Sequence, residues 1–167
     1  LHSKIHEERL TALLIMKNKF QAGNEREAIY KAYLNNAKYI NNWDLVDSSA
    51  GYIVGAFLES RDKKVLYELA GSERIWDRRI AIIATFQFIG NHRFDDALKV
   101  ARLLLNDKED LIHKAVGWAL REIGKRDMAV EEAFLQAHYK KMPRTMLRYA
   151  IERFPEPVRK KYLAGDV

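Results

Sequence analysis

Apolar side chains recur at helical spacing along the whole chain, and the helices that they mark recur at a nearly constant interval. Five strongly apolar helices alternate with weaker, more polar ones, which we predict near 25–36, 62–70, 94–105 and 127–139. Apolar spacing continues the second strong helix to Phe57 and the third to Phe88. The stronger helices are separated by steps of 34, 34, 35 and 31 residues, and they begin at Arg9, Trp43, Asp77, Ile112 and Pro143. Strand-like alternation is scarce, and all three prolines lie at or after Pro143. Repetition at this interval predicts an all-α chain of stacked helical pairs.

The repeat unit fits HEAT-like helical pairs better than tetratricopeptide repeats, because the small-residue and Gly/Tyr pattern of the latter does not recur. We predict a single domain over residues 1–167, a right-handed superhelical solenoid in which the second helices line a concave basic groove. Glycines mark the expected helix ends, at Gly23-Asn24, Gly71-Ser72, Gly90-Asn91 and Gly124.

The charge of the chain is unevenly distributed. The net charge is +6, and residues 111–167 carry 12 Lys and Arg against 7 Asp and Glu. A local basic surplus of this kind suggests a polyanionic partner such as nucleic acid. The chain has no cysteine, which excludes disulfides, thiolate metal sites and a cysteine nucleophile and agrees with a cytoplasmic location. No apolar run approaches the length of a membrane span, and no signal peptide opens the chain.

Trp43 and Asp47 are four residues apart and therefore lie on the same side of a helix. Asp44 follows Asn42 in the first turn, where an acid complements the helix dipole. Asp47 is followed by the small residues Ser48 to Gly51, which would allow a ligand, or simply another helix, to approach the backbone. The alternative for Trp43 is packing between repeats.

Cationic and aromatic residues continue along the same class of helix. Adjacent Arg78 and Arg79 are about 100° apart on a helix, so only one of them can face the groove squarely. Trp118 has Lys114 one turn before it and Arg121 one turn after it. This basic, aromatic, basic pattern suits a sugar-phosphate backbone but also suits a core tryptophan flanked by snorkelling cations. The candidate phosphate contacts are Arg78, Lys114, Arg144 and Arg148.

A metal site is not predicted. His2 and His6 have the spacing of two ligands beside Glu7 and Glu8, but the sequence places no third ligand near them. Phosphate-binding and dinucleotide-binding glycine patterns are absent, as is a serine nucleophile motif. The sequence therefore predicts no metal and no cofactor.

Four segments, in order, resemble the DNA alkylation repair glycosylases built from HEAT-like repeats, the AlkD-like family. They are NNWDLVD, WDRRIAI, KAVGWALREIGK and MPRTMLRYAIE, and the similarity extends from HEERLTALL to RYAIERF. The resemblance implies hydrolysis of the N-glycosidic bond of cationic N3- and N7-alkylated purines in duplex DNA. It implies a monomer that works on the concave face without the usual base-flipping pocket, as a DNA-3-methyladenine/7-methylguanine-type glycosylase.

The resemblance also implies roles for individual residues. Asp47 corresponds to the catalytic aspartate, and Trp43 and Trp118 to the tryptophans that contact DNA. Arg79, rather than Arg78, corresponds to the active-site arginine, expected to hold phosphate. A cationic purine leaves without a general acid, so one carboxylate that stabilises the oxocarbenium-like sugar would suffice.

Family members usually have further N-terminal helices before the repeat that contains HEERL, so we expect an N-terminally shortened version of the family domain. Two other functions stay open at this point. One is a non-catalytic DNA-binding relative with the same basic face. The other is a HEAT-like scaffold for proteins, which would need apolar rather than cationic residues on its concave face.

Overall fold

The computed structural model describes residues 1–23 and 25–167, and these residues form helices, turns and extended connections but no strand. The all-α prediction is confirmed for this part of the chain. Asn24, predicted with Gly23 at a helix end, lies outside the described residues. The helices are α1 (His6–Gln21), α2 (Arg26–Asn35), α3 (Trp43–Asp47), α4 (Ala56–Leu58), α5 (Lys64–Ala70), α6 (Ile75–Ala84), α7 (Phe86–Gly90), α8 (Asp95–Leu103), α9 (Asp110–Gly124), α10 (Met128–His138), α11 (Arg144–Ala150) and α12 (Glu156–Ala164).

The alternation of stronger and weaker helices is confirmed. The stronger helices α1, α3, α6, α9 and α11 begin within three residues of the predicted positions. The weaker helices, predicted near 25–36, 62–70, 94–105 and 127–139, correspond to α2, α5, α8 and α10. Helix α12 was not predicted, and the predicted continuous helix through Phe88 is interrupted at Thr85, whose hydroxyl donates to the main-chain oxygen of Ile82 at 2.6 Å.

The predicted second helix, from Trp43 to Phe57, is irregular. Two turn residues follow α3, and the segment Gly51–Gly55 forms a π-helix before α4. Gly55 packs against α6 so closely that a Cβ there would collide with the main-chain oxygen of Ala84. An insertion of this kind widens the helix locally and often accompanies a functional site.

The contacts between helices follow the order of the units. The second helices touch one another in succession, α3 with α6, α6 with α9, and α9 with α11. The first helices α5 and α8 also touch each other, and α5 packs on α6 within its own unit. One hydrophobic cluster extends from Leu13 to Tyr162 through these layers. Helices α3, α6, α9 and α11 therefore form a continuous layer that can present side chains along one surface.

One close approach in this layer involves Gly117 of α9. A Cβ at this position would collide with the main-chain oxygen of Met146 and with Cβ of Tyr149 in α11. The absence of a side chain lets the backbones of α9 and α11 approach each other directly. This contact sets the position of Tyr149 relative to α9. Among the described residues, no helix combines the length and the apolarity needed to cross a bilayer.

Candidate active site

A cavity of about 470 Å³ lies on the surface formed by α3, α6, α9 and α11. Each of these four helices contributes to its wall. The lining residues are Trp43, Asp47, Arg79, Leu111, Lys114, Trp118, Arg121 and Tyr149. The structure thus brings together the carboxylate, both tryptophans, the buried arginine and one lysine among the residues that the sequence indicated.

Asp47 and Arg79 form a two-point ion pair in the wall of this cavity. Arg79 Nε donates to Asp47 Oδ1 at 2.8 Å, and Nη2 donates to Oδ2 at 2.7 Å. The side chain of Asp47 is 17% exposed, so it reaches the cavity surface although it is paired. Paired donors from a planar guanidinium fix the orientation of a carboxylate more strictly than a single hydrogen bond does.

Each nitrogen of the Arg79 guanidinium donates one hydrogen bond within the protein. Its Nη1 donates to the main-chain oxygen of Leu111 at 2.5 Å, and its side chain is only 6% exposed. The resemblance implied that Arg79 holds a DNA phosphate. The observed contacts favour a different role, because a buried guanidinium with each nitrogen already donating is placed to orient Asp47.

The two indoles differ in how they are held. Trp43 follows Asn42, whose side-chain oxygen accepts from the Trp43 main-chain N–H at 2.7 Å and caps α3. The Trp43 residue is 52% exposed, so about half of its surface stays accessible. Trp118 is half-buried, packs edge-to-face on Phe86 with ring centroids 4.5 Å apart, and donates through Nε1 to Glu122 at 3.3 Å. One indole is therefore accessible and the other is fixed.

Two further cations, Lys114 and Arg121, line the cavity. Lys114 pairs with Asp110 at 2.7 Å, which raises the pKa of Lys114 and lowers the pKa of Asp110. Arg121 pairs with Glu152, and its buried Nε has no hydrogen-bond partner among residues 1–23 and 25–167. These side chains make this wall suitable for anionic groups, although each cation already has one acid beside it.

The remaining predicted cations do not line the cavity. Arg78 donates from Nε to Asp107 at 2.6 Å and from Nη1 to the main-chain oxygens of Ser72 and Glu73. These bonds argue against the predicted phosphate contact at Arg78. Arg144 donates to the main-chain oxygen of Leu163 at 2.6 Å, and Arg148 is exposed on α11.

The structure adds residues that the sequence did not single out. Tyr149 lines the cavity and is 36% exposed, and Leu111 contributes through its main-chain oxygen. Tyr149 lies four residues after Thr145 in the helical segment MPRTMLRYAIE, so the sequence predicted that Tyr149 lies on a helix. The sequence could not predict that Tyr149 lies near Trp118, because that proximity depends on the close packing at Gly117.

The histidines near the N-terminus are used in separate contacts. His6 bonds to Asp44 at 2.7 Å, and His2 bonds to Asn36 at 2.6 Å. Within residues 1–23 and 25–167, no group of three or more His, Cys, Asp or Glu side chains is arranged to hold a metal ion.

Comparison with known proteins identifies the family. No curated protein and no solved structure matches the chain. A family model described as "DNA alkylation repair enzyme" matches residues 1–154. This match covers most of the 167 residues and agrees with the resemblance seen in the four sequence segments. The chain therefore belongs to the DNA alkylation repair enzyme family.

Proposed function

We propose that the protein is a DNA glycosylase that hydrolyses the N-glycosidic bond of cationic N3- or N7-alkylated purines in duplex DNA. One observation carries the proposal. The carboxylate of Asp47 is held by Arg79 in the wall of a cavity that also contains the accessible ring of Trp43 and the fixed ring of Trp118. This arrangement suits a deoxyribose that becomes positively charged during the reaction.

The chemistry needs only these groups. In an alkylated purine, the C1′–N bond breaks with its electron pair passing to the purine nitrogen, which neutralises the positive charge of the base. The sugar becomes oxocarbenium-like, and the Asp47 carboxylate and the π faces of Trp43 and Trp118 stabilise that charge. Water then bonds to C1′, and its proton passes to Asp47. A general acid is unnecessary because the leaving base departs neutral.

The surrounding surface suits duplex DNA. The layer formed by α3, α6, α9 and α11 would form the concave side of a right-handed HEAT-like superhelix. Lys114 and Arg121 in the cavity, with Arg148 further along α11, would contact the phosphates on either side of the damaged nucleotide. We propose that one protein monomer binds one lesion.

The direct test is Asp47→Asn, which retains the size of the side chain and removes its charge. We expect this variant to lose about a hundred- to a thousand-fold in single-turnover release of 7-methylguanine from methylated duplex DNA, the loss typical of removing one electrostatic stabilising group. Binding to the same DNA should change by less than about ten-fold. Asp44→Asn, on the same helix but paired with His6 outside the cavity, is the matched control. Undiminished release by Asp47→Asn would refute the catalytic assignment.

The second candidate is a non-catalytic DNA-binding relative. The observation that favours it is that both carboxylate oxygens of Asp47 accept hydrogen bonds from Arg79. The positive charge of Arg79 weakens the stabilisation that the Asp47 carboxylate can give to a positively charged sugar. Wild-type protein that binds methylated duplex DNA but releases no purine would favour this alternative.

A further inference from the structure

Helix α1 extends the layer formed by α3, α6, α9 and α11. It contacts both α3 and the π-helix Gly51–Gly55, so it lies at the end of the layer away from α9 and α11. The cations assigned above to DNA phosphates all belong to α9 and α11, namely Lys114, Arg121 and Arg148. A duplex that follows this layer extends to both sides of the nucleotide at Asp47, and the α1 side therefore needs a phosphate contact of its own.

Lys17 of α1 places a cation on that side. Its Nζ lies 3.9 Å from the centroid of the Tyr52 ring. Tyr52 is 44% exposed and lines a cavity together with Asp47 and Trp118. The Lys17 ammonium therefore lies beside the surface that carries Asp47, on the side that faces away from Lys114 and Arg121.

The charge of Lys17 is not compensated by an acid. Within residues 1–23 and 25–167, no carboxylate lies within salt-bridge distance of its ammonium. Lys114 and Arg121, by contrast, pair with Asp110 and Glu152. An aromatic ring attracts a cation through its quadrupole but has no net charge. Tyr52 can therefore hold the ammonium in position while its full positive charge stays available for an anion.

We propose that Lys17, held on the ring of Tyr52, binds a backbone phosphate of duplex DNA on the α1 side of the nucleotide at Asp47. The proposal rests on the DNA binding of the function proposed above, but on no step of the hydrolysis. An ammonium is a compact point charge with three donors, which suits a single phosphate. Because the contact is to the backbone, it should be independent of base sequence and of damage.

Lys17→Gln tests the contact, with an undamaged DNA duplex as the probe. Binding is measured by fluorescence anisotropy between about 50 and 200 mM salt. We expect the variant to bind about three- to ten-fold more weakly than wild type, and the slope of log K against log salt to fall by about 0.9, the loss of one phosphate contact. Equal affinity and slope for wild type and Lys17→Gln would overturn the proposal.

Lys19→Gln is the matched control. Lys19 belongs to the same helix, is exposed, and lies about 200° from Lys17 around the helix axis. The two variants change the net charge of the protein equally. Lys19→Gln should bind DNA with the affinity and slope of wild type. A loss as large as that of Lys17→Gln would show that only the net charge matters and would overturn the specific contact.

The role of the Tyr52 ring is tested separately. Tyr52→Phe retains the ring and should bind as wild type, whereas Tyr52→Leu should weaken binding about two- to five-fold, the strength of an exposed cation–π contact. In the Lys17→Gln background, Tyr52→Leu should have no further effect. If it weakens binding there by the same factor, the ring contacts DNA directly and the proposed support of Lys17 is wrong.

The same measurements separate this inference from the proposed function. A flat salt response of wild type would contradict DNA binding as a whole, and the Lys17 contact with it. A steep response that is equal in wild type and Lys17→Gln overturns the Lys17 contact alone. A slope that falls in Lys17→Gln, in a wild-type protein that releases no purine from methylated duplex DNA, supports the contact and contradicts the glycosylase.

Discussion

Asp47 and Arg79 act as one unit at the scale of single residues. Each is the principal partner of the other, and Arg79 is further held by the main-chain oxygen of Leu111. A pair of this kind is not a simple gain in stability, because both ions lose hydration when they are buried. The ion pair contributes orientation to the site, because it holds the Asp47 carboxylate in one direction against the cavity.

Arg79→Gln should therefore affect the position of the carboxylate more than DNA affinity. We expect the free energy of unfolding to fall by roughly 2–4 kcal/mol, because Asp47 is left partly buried without its partner. The Asp47→Asn/Arg79→Gln double variant should be less destabilised than the sum of the two single variants. Urea denaturation of the four proteins measures this coupling.

Catalysis distinguishes this role from a phosphate contact. If Arg79 orients Asp47, the rate constant for purine release should fall far more than the affinity for DNA. If affinity falls instead, and the salt dependence of binding weakens by about one phosphate contact, the role implied by the family resemblance is correct and the positioning role is wrong.

At the scale of secondary-structure elements, the site depends on two irregular contacts. The π-helix Gly51–Gly55 follows α3 and, through Gly51 and Tyr52, forms one wall of a second cavity of about 240 Å³ that also meets Asp47. Gly117 brings α9 against α11 and thereby sets Tyr149 in the first cavity. Both features arise where glycine permits an approach that a regular, fully substituted helix would prevent.

Gly117→Ala tests the second contact. The added methyl group would collide with the backbone of α11, so the helices must separate, and we expect a loss of about 1–3 kcal/mol in stability. Gly90→Ala, where no atom lies near an added Cβ, should be neutral or slightly stabilising because alanine favours helix. Thermal unfolding of both variants measures the difference. Equal stability of the two variants would show that the α9–α11 contact is adaptable.

At the scale of the whole molecule, the net charge of +6 should make DNA binding strongly dependent on salt. Arg148 is exposed, and we expect Arg148→Gln to reduce the slope of log K against log salt by about 0.9, the loss of one phosphate contact. Arg78→Gln is the control, because Arg78 is paired with Asp107, and its slope should equal that of wild type. A flat salt response of the wild type would instead favour a scaffold for proteins.

Stability should also depend on pH through Glu131 of α10. Burial and the neighbouring Glu132 raise the pKa of Glu131 to about 8, although Arg121 opposes the shift. The folded protein therefore binds this proton more strongly than the unfolded chain, for which the ordinary pKa is 4.5. The associated stability is present below pH 4.5 and is lost as pH rises through 8.

Between pH 5 and pH 8 we expect this group to lower the free energy of unfolding by on the order of 3 kcal/mol. Glu131→Gln should remove that part of the pH dependence, and the exposed Glu156→Gln on α12 should retain it. Urea denaturation at several pH values provides the measurement. Identical pH profiles for wild type and Glu131→Gln would show that Glu131 ionises normally.

The sequence by itself determined the alternating stronger and weaker helices and their order, because apolar spacing depends only on neighbours a few residues apart along the chain. It did not predict α12 or the irregularities at Thr85 and Gly51–Gly55. It also indicated Trp43, Asp47, Arg79 and Trp118, since the motifs that contain them are local. The spacing of residues along the sequence could not show that the Arg79 side chain bonds to Asp47, 32 residues away, or that the Arg78 side chain bonds to Asp107. The sequence did not indicate that Tyr149 lines the first cavity, nor that a second cavity lies beside Asp47.

Those features were decided only by the tertiary structure. The direction of a long side chain is selected by partners on other helices, and a cavity exists only where several packed elements fail to fill the space between them. The helical spacing in the sequence predicts which residues share one face of a helix. The close approaches at Gly55 and Gly117 determine how far apart those faces lie, and therefore which side chains meet.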